Sequence, residues 1–360
     1  MDETLKKEDY TTEILKLIAP GTSLREGLEN ILKAKTGALI IIGDSKEILD
    51  IVDGGFNINE EYTSSRLYEL AKMDGAIVLS EDLKRILIAN AQIIPSSDIP
   101  TMETGTRHRT AERTAKQTGK LVISISQRRN IITVFKGNFR YTIEDTSKII
   151  SKANQAIQIL EKYKKVFDSK LSLLSEYEFN DIVTLDNVIN CIQRAEMVNK
   201  VVEEVKRRIY ELGEDGRLVK MQMEELIGGL ENEELLIIKD YMAKNNKKTA
   251  EEVLGAIQEK NNGGLIDSII IARNLGFENF DNFEEVAVYP KGYRILNKVP
   301  KVPSNIVENL VRYFKSFQHI LLAEIDELDK VEGIGSVRAK TIKQSLKRMQ
   351  EQFAFDNVML

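Results

Sequence analysis

Apolar residues follow two rhythms along the chain. Up to about residue 145 they come in short continuous runs: Gly37-Ala38-Leu39-Ile40-Ile41-Ile42-Gly43, Gly75-Ala76-Ile77-Val78-Leu79 and Leu121-Val122-Ile123-Ser124-Ile125-Ser126. Runs of this length beside glycine predict buried strands, and Asn130-Ile131-Ile132-Thr133-Val134-Phe135 is expected to pair with the last of them. Residues 65–73 and 110–118, lying between the runs, have helical spacing. The expected N-terminal fold is a mixed β-sheet with flanking helices, an α/β or α+β arrangement.

From Thr146 the rhythm changes. Ile149, Ala153, Ile157, Leu160 and Tyr163 recur at helical spacing among Lys, Gln and Glu, and residues 201–212 and 224–243 continue in the same style. No strand-like alternation returns until about residue 285, which predicts an all-helical middle acting as a spacer or oligomerisation element without chemistry of its own. Tyr289-Pro290-Lys291-Gly292 and Lys298-Val299-Pro300-Lys301-Val302-Pro303 mark a boundary before a compact helical tail. No long internal repeat and no low-complexity segment stands out. The expected domains are residues 1–145, 146–285 and 286–360.

Composition narrows the function. With 42% hydrophobic and 30% charged residues the 360-residue chain can build cores and is not of disordered type. Its single cysteine, Cys191, rules out an internal disulfide and suits a reducing cytoplasm. Two histidines and one cysteine argue against a zinc cage. The acidic start, Met1-Asp2-Glu3, lacks a signal-peptide pattern, and no apolar run is long enough to span a bilayer, so a soluble intracellular protein is expected. The net charge of −5 hides two basic islands. Residues 104–130 set Arg107, Arg109, Arg113, Lys116, Lys120, Arg128 and Arg129 against Glu112 alone, and residues 330–350 set six cations against Glu332. Two anionic ligands are implied.

The first island holds Gly105-Thr106-Arg107-His108-Arg109-Thr110. Arginine forks match phosphate oxygens, threonine hydroxyls add hydrogen bonds, and glycine lets backbone amides approach. A short basic run is ordinarily solvated surface, but cations are unfavourable at a helix N-terminus, so two arginines there point to a bound anion. Neither a Walker loop nor Gly-x-Gly-x-x-Gly occurs, and a nucleophile–histidine–carboxylate arrangement is poorly supported, because the flanking arginines disfavour an imidazolium at His108. Asp74-Gly75-Ala76, where a helix hands over to a strand, offers a carboxylate for a sugar hydroxyl or a divalent cation. Alone such a pair is usually a turn, as Asp53-Gly54-Gly55 is read.

The second island holds Val331-Glu332-Gly333-Ile334-Gly335-Ser336-Val337-Arg338-Ala339. A helix is expected to end at Gly333 and another to begin after Gly335, leaving turn amides free to hold a phosphate beside Arg338, Lys340 and Lys343. Ile306, Leu310 and Phe314 supply a preceding helix, and His319 is read as a satisfied structural residue on its apolar side. The pattern resembles the helix-hairpin-helix motif in the DNA-binding domain of Holliday-junction-binding proteins. Binding through Gly333, Ile334, Gly335, Arg338, Lys340 and Lys343 would be independent of sequence and sensitive to salt.

Asp-Gly-Ala followed by Gly-Thr-Arg-His-Arg-Thr resembles the diadenylate cyclase domain, and the likeness extends over Glu69–Ala76 and Arg107–Arg113. With its helical middle and hairpin tail, essentially the whole chain resembles those diadenylate cyclases that carry a DNA-binding domain. The resemblance implies a nucleotidyltransferase that condenses two ATP into cyclic di-AMP and two pyrophosphates. It places Asp74 and Gly75 at the ribose and nucleotide, with Asp74 beside the attacking 3′-hydroxyl, acting directly or through Mg²⁺ or Mn²⁺. Thr106, Arg107, His108, Arg109 and Thr110 would grip the triphosphate, Ser126 and Arg129 would lie on the phosphate side, and Ile93 would face the adenine. Asp74, Arg107, His108 and Arg109 are then the catalytic candidates. One domain holds one ATP, so two must face each other, and the family forms a homo-octamer. The resemblance further implies a bacterial, cytoplasmic, nucleoid-associated protein that binds branched DNA such as Holliday junctions in DNA-damage signalling and repair. A DNA-binding scaffold and a nucleotide sensor without turnover are the competing readings. A carboxylate at position 74 speaks against the scaffold.

Overall fold

The computed structural model describes residues 13–260, 265–278 and 282–356; Met1-Asp2-Glu3 lies outside them. The chain divides into two compact units, Met1–Asn154 with Lys206–Lys220, and Gln155–Val205 with Met221–Leu360. The middle stretch thus contributes to both units, and the tail shares a unit with most of it.

The first unit is built on one eight-stranded mixed sheet of order β2-β5-β4-β1-β6-β7-β8, with β3 also paired to β5. The strands are β1 Ala38–Ile42, β2 Val52–Asp53, β3 Phe56–Glu61, β4 Ala76–Leu79, β5 Arg85–Ile93, β6 Leu121–Ser126, β7 Ile131–Lys136 and β8 Phe139–Ile143. Only β1 and β4 run parallel; every other pairing is antiparallel. Each apolar run read from sequence is a strand, and β7 pairs with β6 as expected. The Asp53-Gly54-Gly55 turn is also found, with Gly54 and Gly55 at φ 65° and 86° linking β2 to β3.

Helices cover both faces of the sheet, which explains the unbroken apolar runs. In β1, Ala38, Ile40 and Ile42 join a core with Leu24, Leu28, Ile31 and Leu67. Leu39 and Ile41 point the other way, into a core with Ala111 and Ala115 of the Thr106–Thr118 helix. That helix begins earlier than its periodicity predicts, whereas the Ser64–Leu70 helix, capped by the Thr63 side chain, stops short of residue 73.

The helical middle starts at Thr146 with a helix of 35 residues, Thr146–Asn180, followed by Leu185–Leu212 and Arg217–Ile227. The periodic stretch 224–243 is not one helix. Gly229 takes a left-handed conformation at φ 80° and separates Arg217–Ile227 from Leu230–Tyr241. In the tail, the helices Tyr293–Asn297, Ser304–Phe314, Phe317–Leu322, Ile325–Leu328 and Ser336–Asp356 enclose a core that includes Leu296, Leu310, Phe317, Leu328, Ile342 and Leu346. No described helix is long and apolar enough to cross a membrane.

Candidate functional site

Strand register assembles the site at one end of the first sheet. Leu39 pairs with Ala76 across the parallel β1/β4 ladder, and Ala38 pairs with Ile125 across β1/β6. Asp74 lies two residues before β4, Gly37 one residue before β1 and Ser126 at the end of β6, so the three fall at the same end of three consecutive strands. Asp74 is exposed there.

Gly75 meets a tight constraint. A Cβ at this position would lie 2.7 Å from the Asn90 carbonyl carbon and 2.8 Å from its Cα. The space that a side chain on residue 75 would need is taken by β5. Asn90 itself sits at φ 55°, and the β4/β5 register shifts on either side of Val78. Ile93, at the end of β5, is 8% exposed and belongs to the core with Ile51 and Ala91, whereas the next residue, Ile94, is 54% exposed.

The N-terminus of the Thr106–Thr118 helix faces the same end of the sheet. Its N-cap is Gly105, which supplies no side-chain cap, and open space surrounds the position of a Cβ there. The first turn contains no acidic residue, and its leading amide donors have no helical acceptors. Arg107 lies against Gly37, its guanidinium filling the space of the missing side chain. Sequence reading treats Gly37 only as a strand boundary. Arg109 and Thr106 are exposed, and Thr110 is half-buried. Neither Arg107 nor Arg109 forms a side-chain hydrogen bond or ion pair among the described residues.

His108 turns the other way. It is buried, its Nδ1 lies 3.0 Å from the Ser124 hydroxyl oxygen, and its ring meets Phe135 edge-on at 6.3 Å. Ser124 is the fully buried polar residue in the helix-facing row of β6, and His108 accounts for it. Burial pulls the His108 pKa below its ordinary value, and Arg129, Arg140 and Arg107 add to this, while Glu103 opposes them. The flanking arginines expected to disfavour the imidazolium do so, but desolvation is the larger cause. Its Nε2 is also buried and has no partner among the described residues.

The rest of the first island is structural work. Glu112 accepts from the Thr101 hydroxyl, from the Met102 amide at 3.1 Å and from Lys116 at 2.7 Å. Arg113 donates to the Ile99 carbonyl at 2.9 Å, Lys116 to that of Pro100, and Gln117 receives the Ser96 amide. These contacts tie the loop before Gly105 down along the helix. Lys120 pairs with Glu81 at 2.8 Å. Arg129 donates to Thr104 at 2.9 Å, and its amide donates to the Ser126 hydroxyl at 3.2 Å, so both stand beside the open helix start.

A divalent ion is compatible with this donor set only in part. Among the described residues, no group of three or more His, Cys, Asp and Glu side chains could hold a metal. Asp74 supplies one exposed carboxylate, which suits an ion carried mainly by substrate phosphates.

In the tail, the helix before the glycines ends at Leu328, earlier than Gly333. Gly333 sits at φ 82°, and a Cβ there would collide with Ile306. Gly335 faces open space just before the Ser336–Asp356 helix. Ile334 is buried in the core. Arg338 donates to the Gly333 carbonyl and closes the turn. Lys343 donates to the carbonyls of Leu321, Leu322 and Ala323, capping the Phe317–Leu322 helix. Lys340 is exposed. His319 is exposed as well, not apolar-facing, with Nδ1 3.1 Å from the Phe314 carbonyl oxygen.

Two regions match known family models. Residues 25–139 match the DisA bacterial checkpoint controller nucleotide-binding region, and residues 143–283 match the DisA bacterial checkpoint controller linker region. Among curated relatives, the DNA integrity scanning protein DisA of Clostridium perfringens (strain 13 / Type A) is 54% identical, with 97% of this chain and 98% of that protein covered. The DisA protein of Carboxydothermus hydrogenoformans is 53% identical, covering 96% and 98%. With nucleotide-binding region, linker and length all matched, the chain belongs to the DisA family of DNA integrity scanning proteins.

Proposed function

We propose that the chain is a diadenylate cyclase that joins two ATP molecules into cyclic di-AMP and releases two pyrophosphates. The observation that carries this reading is the meeting, at one sheet end, of the exposed Asp74 carboxylate with an uncapped, acid-free helix start bearing Arg107. A sugar hydroxyl and a polyphosphate are the two groups that this pairing suits.

In each of two equivalent steps, a 3′-oxygen bonds to the α-phosphorus of the other ATP while the bond to pyrophosphate breaks in line. On this reading Asp74 holds the 3′-hydroxyl and takes its proton. The amides after Gly105, with Arg107, Arg109, Thr106 and Thr110, take up the charge of the phosphate chain, and Ser126 and Arg129 bound its other side. His108 contributes by fixing the helix on the sheet through Ser124, rather than by meeting solvent-side phosphates. Ile93 and its exposed neighbour Ile94 provide the apolar surface for adenine. Mg²⁺ or Mn²⁺, held by the phosphates and Asp74, would supply charge neutralisation. Each domain presents one nucleotide, so a second copy must face it, and the homo-octamer of the resemblance provides such pairs.

The tail is proposed to bind branched DNA such as Holliday junctions through the amides following Gly335 and through Lys340, in a bacterial cytoplasmic, nucleoid-associated setting. DNA binding would restrain synthesis.

Incubation with ATP and Mg²⁺ or Mn²⁺, followed by mass analysis, tests the reading. Cyclic di-AMP is expected from the parent chain and not from Asp74→Asn, with DNA binding retained in both. ATP bound but never converted by the parent would instead favour a nucleotide sensor.

A further inference from the structure

The uncapped start of the Thr106–Thr118 helix has an acidic residue close by in sequence. Glu103 lies two positions before the Gly105 N-cap, and its side chain is only 8% exposed. A carboxylate there is attracted to the same leading amides that the proposed function gives to the phosphates. It also borders the basic cluster: of the charges acting on His108, that of Glu103 is the largest. Free to swing, this carboxylate would compete with a phosphate chain for the helix start.

Arg140 supplies the restraint. Its Nε donates to Glu103 Oε1 at 2.7 Å, the one ion pair that Glu103 forms among the described residues. The strand ladder fixes where the guanidinium starts from. Arg140 pairs with Phe135 across β7/β8, and cross-strand partners share a face of the sheet. Phe135 is the residue whose ring meets His108 edge-on, so Arg140 rises from the helix-facing side beside that contact. The loop around Glu103 has other fastenings. The Thr101 hydroxyl and the Met102 amide donate to Glu112, the Glu103 amide donates to the Thr101 hydroxyl oxygen at 3.2 Å, and Arg129 donates to Thr104. The loop backbone therefore keeps its place without Arg140, whereas the Glu103 carboxylate does not.

We infer that Arg140 is a positioning residue for ATP: it draws the Glu103 carboxylate towards β8 and so reserves the helix start for the phosphate chain. Arg140 acts through Glu103 and not by contact with the nucleotide. Its loss releases a poorly solvated anion beside the phosphates, where like charges repel and the leading amides are contested. The inference rests on the reading of residues 105–110 as a phosphate site.

The test titrates the full-length chain with 3′-deoxy-ATP, which has no 3′-hydroxyl to react, and with 3′-deoxyadenosine, which has no phosphates. Synthesis from ATP is read separately by mass. Arg140→Ala is expected to weaken 3′-deoxy-ATP binding by about tenfold, the scale of an uncompensated like charge, and to leave 3′-deoxyadenosine binding unchanged. Glu103→Gln/Arg140→Ala should recover to within about threefold of the parent, because the competing charge is gone. Glu103→Gln alone should bind 3′-deoxy-ATP at least as tightly as the parent, and it decides the matter if Arg140→Ala does not fold. Parental affinity in a folded Arg140→Ala variant, an equal loss for both ligands, or a double variant no tighter than Arg140→Ala would overturn the inference. So would weaker 3′-deoxy-ATP binding by Glu103→Gln. A parent that binds 3′-deoxy-ATP yet makes no cyclic di-AMP would overturn the cyclase reading alone, and the affinities would still decide the role of Arg140. A parent that does not bind 3′-deoxy-ATP would overturn the phosphate-site reading and this inference with it.

Discussion

Arg107 lies where a side chain on residue 37 would have to go. The nearest obstacle is the far end of a flexible side chain, with the Ile125 carbonyl oxygen next at 3.2 Å, so Gly37→Ala should displace Arg107 with only a slight give in the sheet. Stability is expected to stay within about 0.5 kcal/mol of the parent. Cyclic di-AMP synthesis should fall by about a hundredfold, the scale of a misplaced positioning group. Full activity in this variant would show that the Arg107 position is immaterial.

Gly75→Ala should behave in the opposite way. Its Cβ would press on the backbone of Asn90, which cannot swing aside. A cost of about 1–3 kcal/mol is expected from such overpacking. Urea unfolding of the first unit measures it, and an unchanged midpoint would mean that β5 yields more easily than its pairing suggests.

His108 makes the first unit sensitive to acid. Its folded pKa lies below the unfolded value, so the unfolded chain binds the extra proton. The neutral ring therefore contributes fully above about pH 6.5, and that contribution is lost as pH falls through the lowered folded pKa. The parent should lose more stability than His108→Gln between about pH 7 and pH 5. Parallel curves for the two proteins would contradict this. Ser124→Ala, which strands Nδ1, should cost about 1–3 kcal/mol at neutral pH.

Lys340 and Lys343 are alike in sequence and unlike in the fold. Lys343→Ala uncaps the Phe317–Leu322 helix and should cost about 0.5–1 kcal/mol while leaving the salt slope of DNA binding near that of the parent. Lys340→Ala should preserve stability and flatten the slope by about 0.9. The reverse pattern, read from melting and titration together, would exchange their roles.

Much of this was legible in the chain. β1, β4, β6 and β7 announce themselves because their two faces are both buried, and the helical middle begins at Thr146 as its periodicity says. β5 was not legible. Its apolar alternation is interrupted by Asn90 at positive φ and by shifts in register, and its neighbour β3 is largely exposed and polar. The phosphate-like cluster could be read from residue types, but the direction of each side chain could not. His108, Arg113, Lys116 and Lys343 count as cations or ligands in a string of letters, and the fold spends them on Ser124, on loop carbonyls and on a helix end.

Asp74 and Gly37 precede β4 and β1, Ser126 ends β6, and these three strands are consecutive in the sheet. Neighbouring strands lie about 4.8 Å apart, so the first and last of these positions are separated by roughly 10 Å. That span is a ruler cut by the backbone ladder itself. Motion of the bend at Asp74 can shift its carboxylate, but the strand ends behind it move only if strand pairs break. On the proposed reading, a sugar is held at one mark and a phosphate chain at the other, and a nucleoside without its phosphates reaches only the first.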